Sequence, residues 1–133
     1  MTTDADLMAA LFERLQTLIG AVVVLGEPPT VQDTPLIYLM SFQTDYRASG
    51  GHEIVDLRPR IRLVVRWQDA PNAEAEILAL QAAVHDLITD GGALGAKLGG
   101  ACRVTWEQTL YGYLTVGGTR YRMAQMAPRL ITF

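Results

Sequence analysis

Arg58, Arg60, Arg62 and Arg66 stand at even positions of a stretch whose odd positions are all apolar: Leu57, Pro59, Ile61, Leu63, Val65 and Trp67. Alternate side chains of a strand point to opposite faces, so this stretch buries one face and lines the other with guanidinium groups. Guanidinium groups recognise carboxylate or phosphate in a fixed, two-pronged way, and they stack on aromatic rings. Arg120 and Arg122 repeat the spacing near the C-terminus, and Arg103 has the parity opposite to Val104 and Trp106. If these strands join one sheet, seven of the eleven basic residues share one face.

Other residue types that do chemistry are sparse. His52 and His85 lack a second ligand at metal-binding spacing, and each reads as a surface histidine. Ser41 and Ser49, the only serines, lie outside any nucleophile motif. Cys102 is a lone cysteine among small and apolar residues, which is the setting of an inert thiol. The glycines from Gly91 to Gly100 enclose Lys97 without the glycine-lysine-hydroxyl order of a phosphate loop. No catalytic residue, metal ligand or cofactor site is therefore assigned, and function is sought in assembly or binding.

A chain of 133 residues is read as one domain, 1–133, with half its residues hydrophobic and 19% charged. The net charge of −3 argues against bulk electrostatic capture by nucleic acid or an acidic membrane. Lys97 is the only lysine, so basic chemistry is arginine chemistry. A single cysteine fits a reducing compartment. Asp4 and Asp6 stand where a signal peptide carries basic residues, and the apolar run Ala21 to Leu25 is too short to span a bilayer. The expectation is a soluble chain made in the cytoplasm.

Leu7, Met8, Leu11, Phe12, Leu15, Leu18 and Ile19 repeat at helical spacing, which predicts a helix over 4–19 ended by Gly20. Val22 to Leu25 reads as a short strand. Leu36 to Phe42 is apolar on both parities, as in a strand covered on both faces, and a second subunit is a candidate cover. Gln43 to Glu53 is polar and contains Ser49-Gly50-Gly51, which predicts a mobile hairpin tip. Pro59 marks an edge or a bulge. Asp69-Ala70-Pro71-Asn72 opens a second helix, lined by Ile77, Leu80, Val84, Leu87 and Ile88 and ending near Thr89. Arg103 to Leu110, Tyr111 to Val116 and Thr119 to Met126 follow as strands, the last two flanking a Gly117-Gly118 turn, and Leu130 to Phe133 docks as a tail. The fold class is α+β. Two helices pack on one face of a mostly antiparallel sheet, in the order α-β-β-β-α-β-β-β, with a projecting β-hairpin.

Asp4, Asp6, Glu13, Glu74, Glu76, Asp86 and Asp90 lie on or beside the helices, so the domain is electrically two-sided. An acidic helical side meeting a basic sheet side makes a head-to-tail contact, and such a contact closes into a ring when the rotation allows.

The element order, the length, the passage from Thr34-Pro35-Leu36-Ile37-Tyr38-Leu39 to Arg60-Ile61-Arg62-Leu63-Val64-Val65-Arg66-Trp67, and the later acidic, alanine-rich Asn72-Ala73-Glu74-Ala75-Glu76 resemble the tail terminator (tail completion) proteins of long-tailed bacteriophages. The resemblance implies a structural virion protein without enzymatic activity. It implies a sixfold ring at the head-proximal end of the tail, capping the tail tube protein and offering a surface to the head-neck connector. It implies that genomic DNA passes through the lumen without sequence preference and that no membrane is involved. It also implies an assembly loop that stays mobile until assembly, here Asp45, Tyr46, Arg47, Gly50, Gly51 and His52. Arg58, Arg60, Arg62, Arg66, Arg120 and Arg122 are the candidates for the subunit interface, the tube interface or the lumen.

Two alternatives stay open. One is a small domain that holds an anionic ligand at Arg60, Arg62 and Arg122. The other is a sheet that binds single-stranded nucleic acid, with Tyr111, Tyr113 and Tyr121 as stacking platforms.

Overall fold

Thr3 opens the first helix by a capping box: its hydroxyl accepts from the Asp6 N–H at 3.2 Å, and Asp6 accepts from the Thr3 N–H at 2.9 Å. That bond holds the Asp6 carboxyl below its ordinary pKa. In the computed structural model, which describes residues 3–31, 33–49, 52–89 and 102–132, this helix is α1, Asp4–Gln16. It ends three residues earlier than its periodicity predicts. The Thr17 hydroxyl folds back on the Arg14 carbonyl at 2.7 Å, and the chain turns at Gly20, where φ is +90°. Leu18 is therefore only partly buried, and Ile19 is 98% exposed rather than a core residue. Asp69 starts α2, Ala70–Thr89, by accepting from the Asn72 N–H at 2.9 Å.

Five strands form one sheet: β1 Val22–Leu25, β2 Leu36–Ser49, β3 His52–Arg66, β4 Cys102–Val116 and β5 Thr119–Thr132. Their spatial order is β1-β2-β3-β5-β4, with β1 parallel to β2 and the other pairs antiparallel. The fold is α+β as expected, with one strand fewer after α2. Arg103–Leu110 and Tyr111–Val116 are a single strand, because β4 bulges between Trp106 and Thr109. The bulge changes the parity of the buried side chains, and a change of parity in sequence resembles a strand boundary. Gly117 and Gly118 form the predicted turn, with φ of +57° and +80°, and the Leu130–Thr132 tail continues β5.

Gln43–Ser49 and His52–Glu53 are not a polar loop. The β2–β3 ladder continues to Ser49↔His52, so Asp45, Tyr46 and Arg47 are paired strand residues opposite Asp56, Val55 and Ile54. Gly50 and Gly51 of the predicted loop lie outside the described residues, as do Asp90, the glycine-rich segment with Lys97, and Phe133.

Pro59 sits in a central strand, and β2 bulges opposite it: Met40 pairs with Arg60 and Gln43 with Arg58, leaving Ser41 and Phe42 against one residue. The β4 bulge lies beside Pro128 of β5. Both prolines thus stand where a neighbouring ladder is interrupted, which suits a residue with no N–H to donate.

Both helices cover one side of the sheet. Leu7, Leu11 and Leu15 of α1 and Ile77, Val84 and Ile88 of α2 bury against Ile37, Leu39, Leu57, Ile61, Leu63, Val65, Ala124, Met126 and Leu130. Each large aliphatic side chain so buried is worth about 1.5–3 kcal/mol. The other side has a smaller apolar cluster, Leu36, Tyr38 and Val64, with Val24, Val31, Met40, Leu114, Tyr121 and Met123 packed around it. The doubly apolar strand is therefore covered by its own chain over Leu36–Leu39, without a second subunit, while Phe42 at its end is 62% exposed.

Candidate interaction surfaces

Strand register sorts the arginines. Val65 stands opposite Arg122 and Arg66 opposite Tyr121, so even residues of β3 share a face with odd residues of β5. Arg58, Arg60, Arg62 and Arg66 point to the side without helices, here termed the open side. Arg120 and Arg122 point to the helix side. The two sets do not share a face, contrary to the sequence expectation. The set Arg60, Arg62 and Arg122 cannot converge on one anion, and Tyr121 is on the opposite side from Tyr111 and Tyr113.

The open side nevertheless holds seven of the eleven basic residues, because Arg47 and Arg129 take the places of Arg120 and Arg122 beside Arg58, Arg60, Arg62, Arg66 and Arg103. Its hairpin half is organised around Asp56, a buried carboxylate. Arg129 grips it with two prongs, Nε at 3.0 Å from Oδ1 and Nη2 at 2.7 Å from Oδ2. Arg47 and Arg58 approach it to 3.7 Å, and Arg58 also lies 3.6 Å from Glu107. The Arg58 Nε is buried without a hydrogen bond. The Arg129 hydrogen bonds hold the Asp56 carboxyl below its ordinary pKa, against the raising effect of burial. Asp56 shares the parity of the arginines in its strand, so this centre was visible in sequence as the one acid in that row. Arg129 was hidden by the break at Pro128.

The other half of the open side is held by neutral groups. Arg62 donates to Gln125 Oε1 at 2.9 Å and to the Tyr38 hydroxyl at 3.1 Å. The Arg60 guanidinium stacks 3.8 Å from the centre of the Phe42 ring. Among the described residues neither has a carboxylate within ion-pair distance, and Arg66 is exposed. These cations are placed rather than neutralised.

On the helix side, Arg120 lies between Trp67 and Tyr113, at 5.3 and 4.0 Å from the ring centres. Arg122 lies 4.6 Å from Tyr113 and 5.8 Å from Tyr111. It also donates to Glu74 of α2 at 2.6 Å and to the Gly112 carbonyl at 3.0 Å. This ladder of rings and guanidinium groups ties β4 and β5 to α2, a role the sequence alone did not suggest.

The remaining candidates are structural in character. The His85 ring stacks on Trp106 with centres 5.0 Å apart, and Trp106 Nε1 donates to Thr89 Oγ1 at 2.9 Å. Burial pushes the Cys102 thiol up from its ordinary pKa. Ser41 is exposed in the β2 bulge rather than buried in a strand. Among the described residues, no three His, Cys, Asp or Glu side chains gather as a metal site, and no helix is long and apolar enough to cross a membrane. The two helices carry Asp4, Asp6, Glu13, Glu74, Glu76 and Asp86 against a single arginine, Arg14. The two-sided charge expected from sequence is therefore present, with a different membership. No protein-family model matches the chain, and no curated protein matches it.

Proposed function

We propose that this protein is a structural subunit of a phage tail terminator ring. It caps the tail tube, ends tube growth and meets the head-neck proteins, with DNA passing over the arginine face that lines the lumen. The observation that carries the reading is the open side of the sheet. It displays seven arginines, and Arg60 and Arg62 there are positioned by Phe42, Gln125 and Tyr38 rather than neutralised by carboxylates. Such a face suits sequence-independent contact with passing phosphates. The acidic helices supply an outer surface of opposite sign.

The test is electron microscopy of the protein added to polymerising tail-tube subunits from the same genome. Rings of six at one tube end, with shortened tubes, are expected. Unchanged tube growth with bare ends rejects the reading. A second reading is a small domain that binds single-stranded nucleic acid on the open side. It predicts a salt-dependent shift of a labelled oligonucleotide by the unassembled monomer, and no shift at low salt dismisses it.

A further inference from the structure

The sheet has two unlike edges. β1 covers the outer edge of β2 only at Leu36–Leu39, so Met40–Ser49 has no strand beside it among the described residues. At the opposite end of the sheet, the outer edge of β4, Cys102–Val116, has no strand beside it among the described residues. Edge strands are templates for pairing, and proteins that avoid pairing blunt them with charged residues, proline, bulges or extreme shortness. β2 and β4 each carry one bulge, and beyond it Gln43–Ser49 and Thr109–Val116 run as regular strand. Neither edge contains lysine or proline, and Thr109–Val116 contains no charged residue at all. Exposed apolar side chains also gather there: Phe42 on β2, and Leu110, Tyr111 and Tyr113 on β4, each 42–62% exposed.

We infer that β4 of one copy pairs antiparallel with Met40–Ser49 of the next copy, extending the sheet head to tail. Strand direction permits this. β2, β3, β5 and β4 alternate in direction, so a following β2 runs antiparallel to β4 with the open sides of both copies on one surface. Position along the strand is constrained too, because β1 of the receiving copy fills the level of Leu36–Leu39. The incoming β4 must therefore be displaced toward the hairpin end. A stagger at each junction is what lets a sheet close on itself. The contact deepens the ring reading above, since closure is taken from it, whereas the pairing stands on the edges themselves. It replaces the helix-to-sheet contact that the charge pattern suggested: helices stay outside, arginines line the inside, and the open stretches of β2 and β4 are paired.

Two edge variants test it. Ser41→Lys with Phe42→Lys blocks the β2 edge, and Leu110→Lys with Thr115→Lys blocks the β4 edge. Each is first shown to keep the wild-type circular dichroism spectrum. In sedimentation velocity the wild type should grow beyond a dimer as concentration rises. Each variant alone should stay monomeric, and an equimolar mixture should give a dimer and nothing larger, because one intact edge of each kind remains. A wild type that is monomeric up to its solubility limit overturns the inference. So does a β2-edge variant that assembles like the wild type, which would show β4 pairing with itself. If tubes are still capped by both edge variants, the edge contact fails while the ring reading stands. If the mixture dimerises but tubes are never capped, the ring reading fails instead.

Discussion

Asp56 and Arg129 face each other across β3 and β5 in a two-pronged ion pair, at 3.0 and 2.7 Å, with the carboxylate buried and the guanidinium reaching in from a half-exposed position. A buried ion pair is costly to break from one side, because the remaining charge stays desolvated. Arg129→Ala should therefore lower stability, and by less than the loss of a fully buried partner, since Arg129 is partly exposed and Arg47 and Arg58 still approach Asp56. Urea unfolding checks this.

The same pair sets an acid limit. The Asp56 pKa is lower in the folded chain than the ordinary 3.8, so its contribution is complete above about that pH and is lost as pH falls through the lower folded value. Stability measured from pH 6 down to pH 2 should fall in that window. Asp56→Asn should be destabilised at neutral pH and should lose this part of the acid slope. An unchanged slope would assign it to other carboxylates.

Arg122 and Glu74 join β5 to α2 at 2.6 Å, but Glu74 is 46% exposed. Their coupling in a double-mutant cycle should not exceed about 1 kcal/mol and should shrink in high salt. Arg122→Ala alone should cost more than Glu74→Gln, because Arg122 also serves the Gly112 carbonyl and the Tyr113 ring.

Arg60→Gln with Arg66→Gln should destabilise the monomer by no more than about 1 kcal/mol, the worth of the Arg60–Phe42 stack at a partly exposed site. The same change should weaken whatever polyanion contact the open side makes, with a smaller salt dependence of binding. Stability comes from thermal unfolding and binding from fluorescence anisotropy with a labelled oligonucleotide at two salt concentrations. Loss of stability without change in binding would make these arginines structural.

Cys102 should react slowly with a thiol reagent at pH 7 in the native state and fully after unfolding. Its partial burial against the helix-side core raises the thiol pKa and hinders access. Reaction as fast as that of a free thiol would contradict the packing at the start of β4.

The helices and the arginine strand were legible because each has a single uninterrupted period. Asp69 and the α2 stripe, and the alternation from Ile61 to Trp67, follow directly from residue order. What sequence could not show was relative register. Arg62 and Arg122 have the same parity in their own strands, and only the pairing of Val65 with Arg122 sends them to opposite faces. The polar stretch from Gln43 looked like a loop because polarity there reflects the open side and the hairpin end rather than irregular backbone. Arg129 and Asp56 lie 73 positions apart, and no local pattern connects them.

The extra residue in β2 acts as a switch of reading frame within one strand. Before it, Ile37 and Leu39 face the helices; after it, Thr44 and Tyr46 do, while Asp45 and Arg47 move to the arginine side. Were the same residues run as a regular strand without the bulge, the earlier frame would continue, turning Arg47 toward the helix side and Tyr46 outward among the guanidinium groups. Deleting Ser41 instead would straighten the ladder and leave both on their present faces. The single irregular step in the ladder thus decides whether this hairpin carries charge or aromatic surface to its neighbours.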